Sequence, residues 1–137
     1  MKTQVGIIGA GPAGLLLSHL LHLQGIESVV LEARSQEYVV GRVRAGVLEQ
    51  NTVDILRTSG LGERLAREGL RHEGIELLFD GRAKRIDFPS LTKGKAVTVY
   101  GQREVVKDLI ATRQAQKAEL YFEATADKIT RRPTRWR

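Results

Sequence analysis

Apolar residues come in short runs broken by glycine, and the spacing inside each run names an element. Val5, Ile7 and Ile8 have the make-up of a buried strand, and Ser28 to Leu31 forms a second such run. Between them, Pro12 to Gln24 carries Leu15, Leu16, Leu20 and Leu23 at helical spacing, which predicts a helix turning these leucines toward a sheet. Ser18, His19 and His22 fall on one stripe of that helix and predict a solvated face. Two histidines without a third ligand make no metal site, so no metal is assigned. Gly25 supplies the helix stop.

Further on, Ala33 to Tyr38 is polar, where a second crossover belongs. Gly41 to Glu49 is a small-residue loop in which Arg42 and Arg44 alternate, so they are expected on opposite sides. A helix is predicted from Glu49 to Thr58, with Val53, Ile55 and Leu56 inward and Gly60 as its stop. Leu61 to Glu68 reads as a short charged helix, and His72 lies in the following connection. Ile75 to Phe79 and Arg82 to Phe88, joined at Asp80-Gly81, predict a hairpin. Ala96 to Tyr100 is a further strand. Arg103 to Gln116 is a helix with Val105, Val106, Leu109 and Ile110 inward, and Leu120 to Phe122 a last strand. Strands alternating with helices predict an α/β fold: a Rossmann-like βαβ domain with a parallel sheet, plus a hairpin insertion.

The first of these units carries chemistry. Gly9-Ala10-Gly11-Pro12-Ala13-Gly14 fits G-x-G-x-x-G between strand and helix, and the second strand ends at Glu32, eighteen residues beyond Gly14. Gly9 allows the tight turn, Gly11 lets a diphosphate approach the backbone, and Gly14 lets helix pack on strand. The phosphates belong at the helix N-terminus. Glu32 can accept both hydroxyl hydrogens of a ribose. Pro12 suits the first helical turn. The motif fits FAD and NAD equally. Arg34 and Tyr38 are candidates for a phosphate or adenine, with exposed surface residues as the alternative. For Arg42 and Arg44, two anionic groups compete with a surface charge pair.

Composition narrows the classes. The 137 residues are 42% hydrophobic and 28% charged, with no cysteine. Disulfides, thiolate metal sites and cysteine nucleophiles are excluded, and a reducing compartment, the cytoplasm, is expected. No apolar stretch is long enough to span a bilayer, so no membrane partner is expected. The net charge of +6 is concentrated at one end. Residues 124–137 hold five basic residues against Asp127, giving +4, while the other 123 residues hold 17 bases and 15 acids, giving +2. A basic tail with Trp136 could suit a nucleic-acid backbone, but no folded basic surface accompanies it, so no nucleic acid is expected.

Four stretches together, VGIIGAGPAGLLL, GRVRAGVLEQ, HEGIELLF and VTVYGQREV, resemble the N-terminal third of the para-hydroxybenzoate hydroxylase family. These are FAD-dependent, NADPH-using aromatic monooxygenases, and the likeness runs from Met1 to about Glu123. It implies FAD as cofactor, a small aromatic acid and O2 as substrates, and a homodimer for the full-length enzyme. It further implies that Gly9, Gly11, Ala13 and Gly14 hold the FAD diphosphate and Glu32 the adenosine ribose. The loop Arg42, Val43, Arg44, Ala45, Gly46, Val47 would run along the flavin, with Arg44 at the diphosphate. Gln102 would touch the ribityl and phosphate region. His72 matches the outer member of a proton relay that deprotonates the phenol. Tyr38 matches a residue implicated in NADPH choice, and Arg34, Arg42 and Arg44 join it as NAD(P)H-binding candidates. Members strict for NADPH show Glu-Arg where this chain has Glu32-Ala33-Arg34, which opens the choice between NADPH and NADH. The second FAD motif, the substrate domain, the relay tyrosines and the dimerisation region have no room in 137 residues. The expectation is therefore a partial FAD/NAD(P)-binding domain over residues 1–123, inactive alone, with 124–137 as a disordered or frameshifted tail. The alternative is a stand-alone dinucleotide-binding module.

Overall fold

The structure, a computed structural model, describes residues 2–128 and 130. It opens with β1 (Val5–Ile8), α1 (Pro12–Leu23) and β2 (Ser28–Leu31), the unit that the first apolar runs predict. β1 and β2 pair in parallel, Val5 opposite Ser28 through Ile8 opposite Leu31. β8 (Glu119–Tyr121) arrives from far along the chain and pairs in parallel with the other side of β2. As the middle strand, β2 buries Ser28, Val29 and Val30 in succession, which is why the run does not alternate.

Two helices meet over this sheet. α6 (Gln102–Ala115) packs on α1, and Leu15, Leu109, Ile110 and Val30 share one core with Val53 and Leu56 of α3 (Gln50–Thr58) and Leu65 of α4 (Gly62–Glu68). Their burial supplies the main drive for folding. A second, antiparallel sheet has β7 (Val97–Val99) between β3 (Val47–Glu49) and β4 (Leu70–His72). β5 (Gly74–Phe79) and β6 (Arg82–Asp87) form the predicted hairpin. Asp80 and Gly81 at its tip have φ of 47° and 67°, the paired left-handed geometry of a tight hairpin turn. Short helices complete the chain. α2 (Gln36–Gly41) is capped by the Ser35 side chain on Tyr38 N–H, and α5 (Phe88–Thr92) by Asp87 on Ser90 N–H.

Several expectations need correcting. Ser18 and His19 are not solvated: both are buried, and of the three only His22 faces water. The reason is that α1 is covered twice, by its sheet and by α6. Ser18 Oγ bonds Ser28 Oγ at 3.0 Å and accepts from Arg113 Nε at 3.2 Å, while His19 Nε2 meets the Ser59 carbonyl at 2.8 Å. These buried polar atoms are thus paired internally, while His19 Nδ1 is buried with no partner among the described residues. Arg113, buried in α6, also donates to Gln116 Oε1 at 2.6 Å, and burial pulls its pKa below the ordinary guanidinium value. Leu23, at the last turn of α1, and Ile55, within α3 beside the buried Val53 and Leu56, were expected inside but are about half exposed. Val47 and His72 stand on three-residue strands, not in loops, because β7 supplies a partner to each. Of the tail, 129 and 131–137 lie outside the described residues. Ala124 N–H still donates to the Glu32 carbonyl at 2.9 Å.

Candidate dinucleotide-binding site

The turn after β1 is built from glycine for stated reasons. Gly9 has φ of +105°, a region that side chains strain to adopt. A Cβ on Gly14 would stand 2.2 Å from the Gly9 carbonyl oxygen, so only glycine lets α1 lie against the strand end. Gly11 differs: a Cβ there meets nothing within 4 Å, leaving its face open. Gly11 is also the N-cap of α1, with Pro12 next, no side-chain cap and no acidic residue in the first turn. Backbone amides and the positive end of the helix dipole are left for an anion.

Glu32 closes β2 beside this turn. Its Oε2 accepts from Ala10 N–H at 2.8 Å and its Oε1 from Arg34 N–H at 2.9 Å. Two backbone donors therefore fix the carboxylate, and its remaining lone pairs can take ribose hydroxyls.

Both features open on a cleft of about 580 Å³. Of the residues expected to bind nucleotide, Gly11, Glu32, Arg34, Tyr38, Arg42, Arg44 and Gln102 line it together. Gly9, Ala13 and Gly14 frame the turn without lining the cleft. Val43, Ala45, Gly46 and Val47 also stand outside the lining, although Gly46 has a clear task. A Cβ on it would come within 2.8 Å of Gly101 Cα, and its carbonyl accepts from Tyr100 N–H at 2.7 Å, so it joins the arginine loop to the start of α6. His72 is exposed on β4, opposite Val97, and does not reach the cleft.

Arg42 and Arg44 were expected on opposite sides, yet both line the same cleft. Arg42 caps the end of α2 and Arg44 belongs to the loop, so the alternation of a strand does not apply between them. Arg103 was missed. It follows Gln102 in the first turn of α6 and lines the cleft too. A signal was present: Gly101 is the N-cap of α6 without a side-chain cap, as Gly11 is for α1.

Charge is lopsided here. Four guanidinium groups, those of Arg34, Arg42, Arg44 and Arg103, face the one carboxylate of Glu32. Arg34 and Arg42 lie 5.4 and 5.6 Å from the Tyr38 ring centroid, close enough for the ring to hold both cations in place. Elsewhere the opposite holds. Arg64 of α4 donates to Glu68 at 3.0 Å, to Asp108 at 2.6 Å and to Glu104, and Tyr100 OH donates to Asp108 at 2.6 Å. Hydrogen bonds from Arg64 and then Lys107 lower the Glu104 pKa to about 2. Burial and Asp108 raise that of Tyr100. That cluster ties α4 to α6 and is complete in itself. Among the described residues no group of His, Asp and Glu is arranged to hold a metal ion, and no helix is long and apolar enough to cross a membrane.

Known proteins share both sequence and fold with this chain. The p-hydroxybenzoate hydroxylase of Acinetobacter baylyi is 52% identical over 129 residues, which is 94% of this chain and 32% of that protein. A 3-(3-hydroxy-phenyl)propionate/3-hydroxycinnamic acid hydroxylase of Burkholderia vietnamiensis is 31% identical over 83 residues, covering 61% of this chain and 15% of its own length. The chain thus spans a third or less of these relatives. Among solved structures, Pseudomonas aeruginosa PqsL superposes with a TM-score of 0.85 at 21% identity, over 96% of this chain and 36% of its own. The p-nitrophenol 4-monooxygenase PnpA of Pseudomonas putida gives 0.75 at 22%, over 90% and 32%. These two establish the fold. The motif resemblance to para-hydroxybenzoate hydroxylase is borne out by the first relative. A family model described as "FAD binding domain" matches residues 2–134, and the chain belongs to that family.

Proposed function

We propose that these residues form the FAD-binding portion of a monooxygenase that hydroxylates 4-hydroxybenzoate to 3,4-dihydroxybenzoate with NAD(P)H and O2. The observation that carries this reading is the 52% identity to p-hydroxybenzoate hydroxylase along 94% of the chain. An open glycine turn on a cationic cleft fits the cofactor's diphosphate. When bound, FAD supplies the redox chemistry; the protein supplies position, charge and exclusion of water.

In that reading, Gly11 and the α1 N-terminus bind the diphosphate, within the frame of Gly9, Ala13 and Gly14. Glu32 accepts the adenosine ribose hydroxyls, and Arg44 neutralises phosphate charge. The loop from Arg42 through Val43, Ala45 and Gly46 to Val47 runs beside the flavin, and Gln102 holds the ribityl end. Arg34, Tyr38 and Arg42 receive the phosphates of the electron donor. His72 acts as the outer end of a proton relay, where its exposure lets it exchange a proton with water. Residues 1–123 constitute the nucleotide-binding body and 124–137 a tail. The same reading takes a homodimer as the full-length assembly and the cytoplasm as its compartment. Because the chain spans 32% of that relative, the 137 residues alone bind nucleotide without turning over substrate.

Titrating the 137-residue chain into FAD, followed by flavin fluorescence, tests the reading. Saturable binding displaced by ADP is expected. A folded chain that leaves flavin fluorescence unchanged contradicts it. On a full-length version, strong preference for NADH would remove Arg34 from the donor's 2′-phosphate.

A further inference from the structure

Arg103 is the charged residue lining the cleft to which neither motif nor resemblance assigns a task. Its side chain has one ionic contact, from Nε to Glu104 Oε1 at 3.3 Å. That carboxylate is already shared by Arg64 and by Lys107 at 3.1 Å. Glu104 is thus satisfied without Arg103. The two terminal nitrogens of Arg103 have no partner among the described residues, and half of the side chain is exposed at the cleft.

Its position matters more than its freedom. Gly46 packs on Gly101, which locks the arginine loop to the N-terminus of α6. Arg44 stands two residues before that contact and Arg103 two residues after it. Both line the cleft into which Gly11 opens, and Arg44 likewise has no partner among the described residues. Arg34 and Arg42 are held on Tyr38 instead. So one unpaired guanidinium group, that of Arg44, and one with both terminal nitrogens free, that of Arg103, flank one glycine contact beside an amide-lined turn. A guanidinium presents several donors in one plane and suits phosphate oxygens geometrically as well as by charge.

We propose that Arg103 is a second diphosphate-binding arginine, which with Arg44 holds the phosphate bridge of the bound dinucleotide against the α1 N-terminus. This rests on the dinucleotide reading above, and it extends the phosphate contacts from the first glycine turn to α6. The Glu104 contact parks the side chain when no ligand is present, and releasing it leaves Glu104 with Arg64 and Lys107.

The test is calorimetric titration of the full chain, wild type and Arg103→Gln, with ADP and with adenosine at low and high salt. The substitution is expected to weaken ADP about tenfold while leaving adenosine unchanged, and to make ADP binding less salt-sensitive. Arg103→Lys keeps the charge without the planar fork and should fall between the two, which also guards against misfolding of the glutamine variant. If wild type binds ADP and Arg103→Gln binds it equally well, Arg103 has no phosphate role and the dinucleotide reading stands. Equal loss of ADP and adenosine likewise overturns the assignment, since it marks a general distortion of the site. Wild type that binds neither ligand removes the dinucleotide reading and this inference with it.

Discussion

Arginine serves two ends in this molecule, and the contrast separates framework from site. Arg64 is surrounded by Glu68, Glu104 and Asp108, with Tyr100 completing the set. Every charge there has a partner, so the cluster fastens α4 to α6 and offers a ligand nothing. In the cleft, four arginines face Glu32, whose two oxygens are already engaged by backbone amides. Cations in excess of the carboxylates beside an open glycine turn attract anions. The number of arginines says little. Their carboxylates decide the matter.

The harshest way to break the contrast is through its backbone frame. Gly14→Ala pushes a Cβ into the Gly9 carbonyl, so α1 must move off the strand end. Stability is expected to fall by about 3 kcal/mol in urea titration, and ADP binding to disappear with it. Stability and binding come apart at Arg44. Arg44→Gln should weaken ADP by about thirtyfold, roughly 2 kcal/mol, because a charged hydrogen bond is lost. Its thermal midpoint should stay within a degree or so of wild type, since the side chain is exposed and has no partner among the described residues.

Arg64→Met reverses that pattern. It takes the shared guanidinium from Glu104 and Asp108, leaving Lys107 and Arg103 on the first and the Tyr100 hydroxyl on the second, and should cost about 1.5 kcal/mol of stability, while ADP affinity holds. Equal damage to ADP binding would show that the two arginine sets are not independent. The smallest effect is the pH dependence of Glu104. Its folded pKa lies at about 2 against an ordinary 4.5, lowered by Arg64 first and Lys107 next. A depressed carboxyl pKa stabilises the fold above the unfolded value, and that stability drains away as pH falls from 4.5 toward 2. Glu104→Gln should therefore lower the urea midpoint at pH 7 and narrow the difference between pH 7 and pH 3. With part of the side chain in solvent, the effect should be about 1 kcal/mol.

What could be read from sequence was local. The strand, glycine turn, helix and Glu32 lie within 28 residues, from Val5 to Glu32, and each leaves its own mark on spacing. Asp80-Gly81 announced its hairpin in the same way. The misreadings came from partners far along the chain. Ser18 seemed to belong to water because its bond to Arg113 spans 95 residues. β3 and β4 are strands only because β7 lies between them, and three residues carry too little pattern to show it. Phe88–Thr92 had a usable signal, an Asp87 cap with Pro89 following, but five residues leave no periodicity. Arg103 stood beside the predicted Gln102 and was passed over because adjacency along a helix says nothing about what lies across a cleft.

A crystal structure of the chain with ADP tests the site most directly. The expected result places the diphosphate at the Gly11 amide and the α1 N-terminus, with the ribose hydroxyls on Glu32 and Arg44 turned to the phosphates. ADP bound elsewhere on a folded chain, with the glycine turn bare, would contradict it.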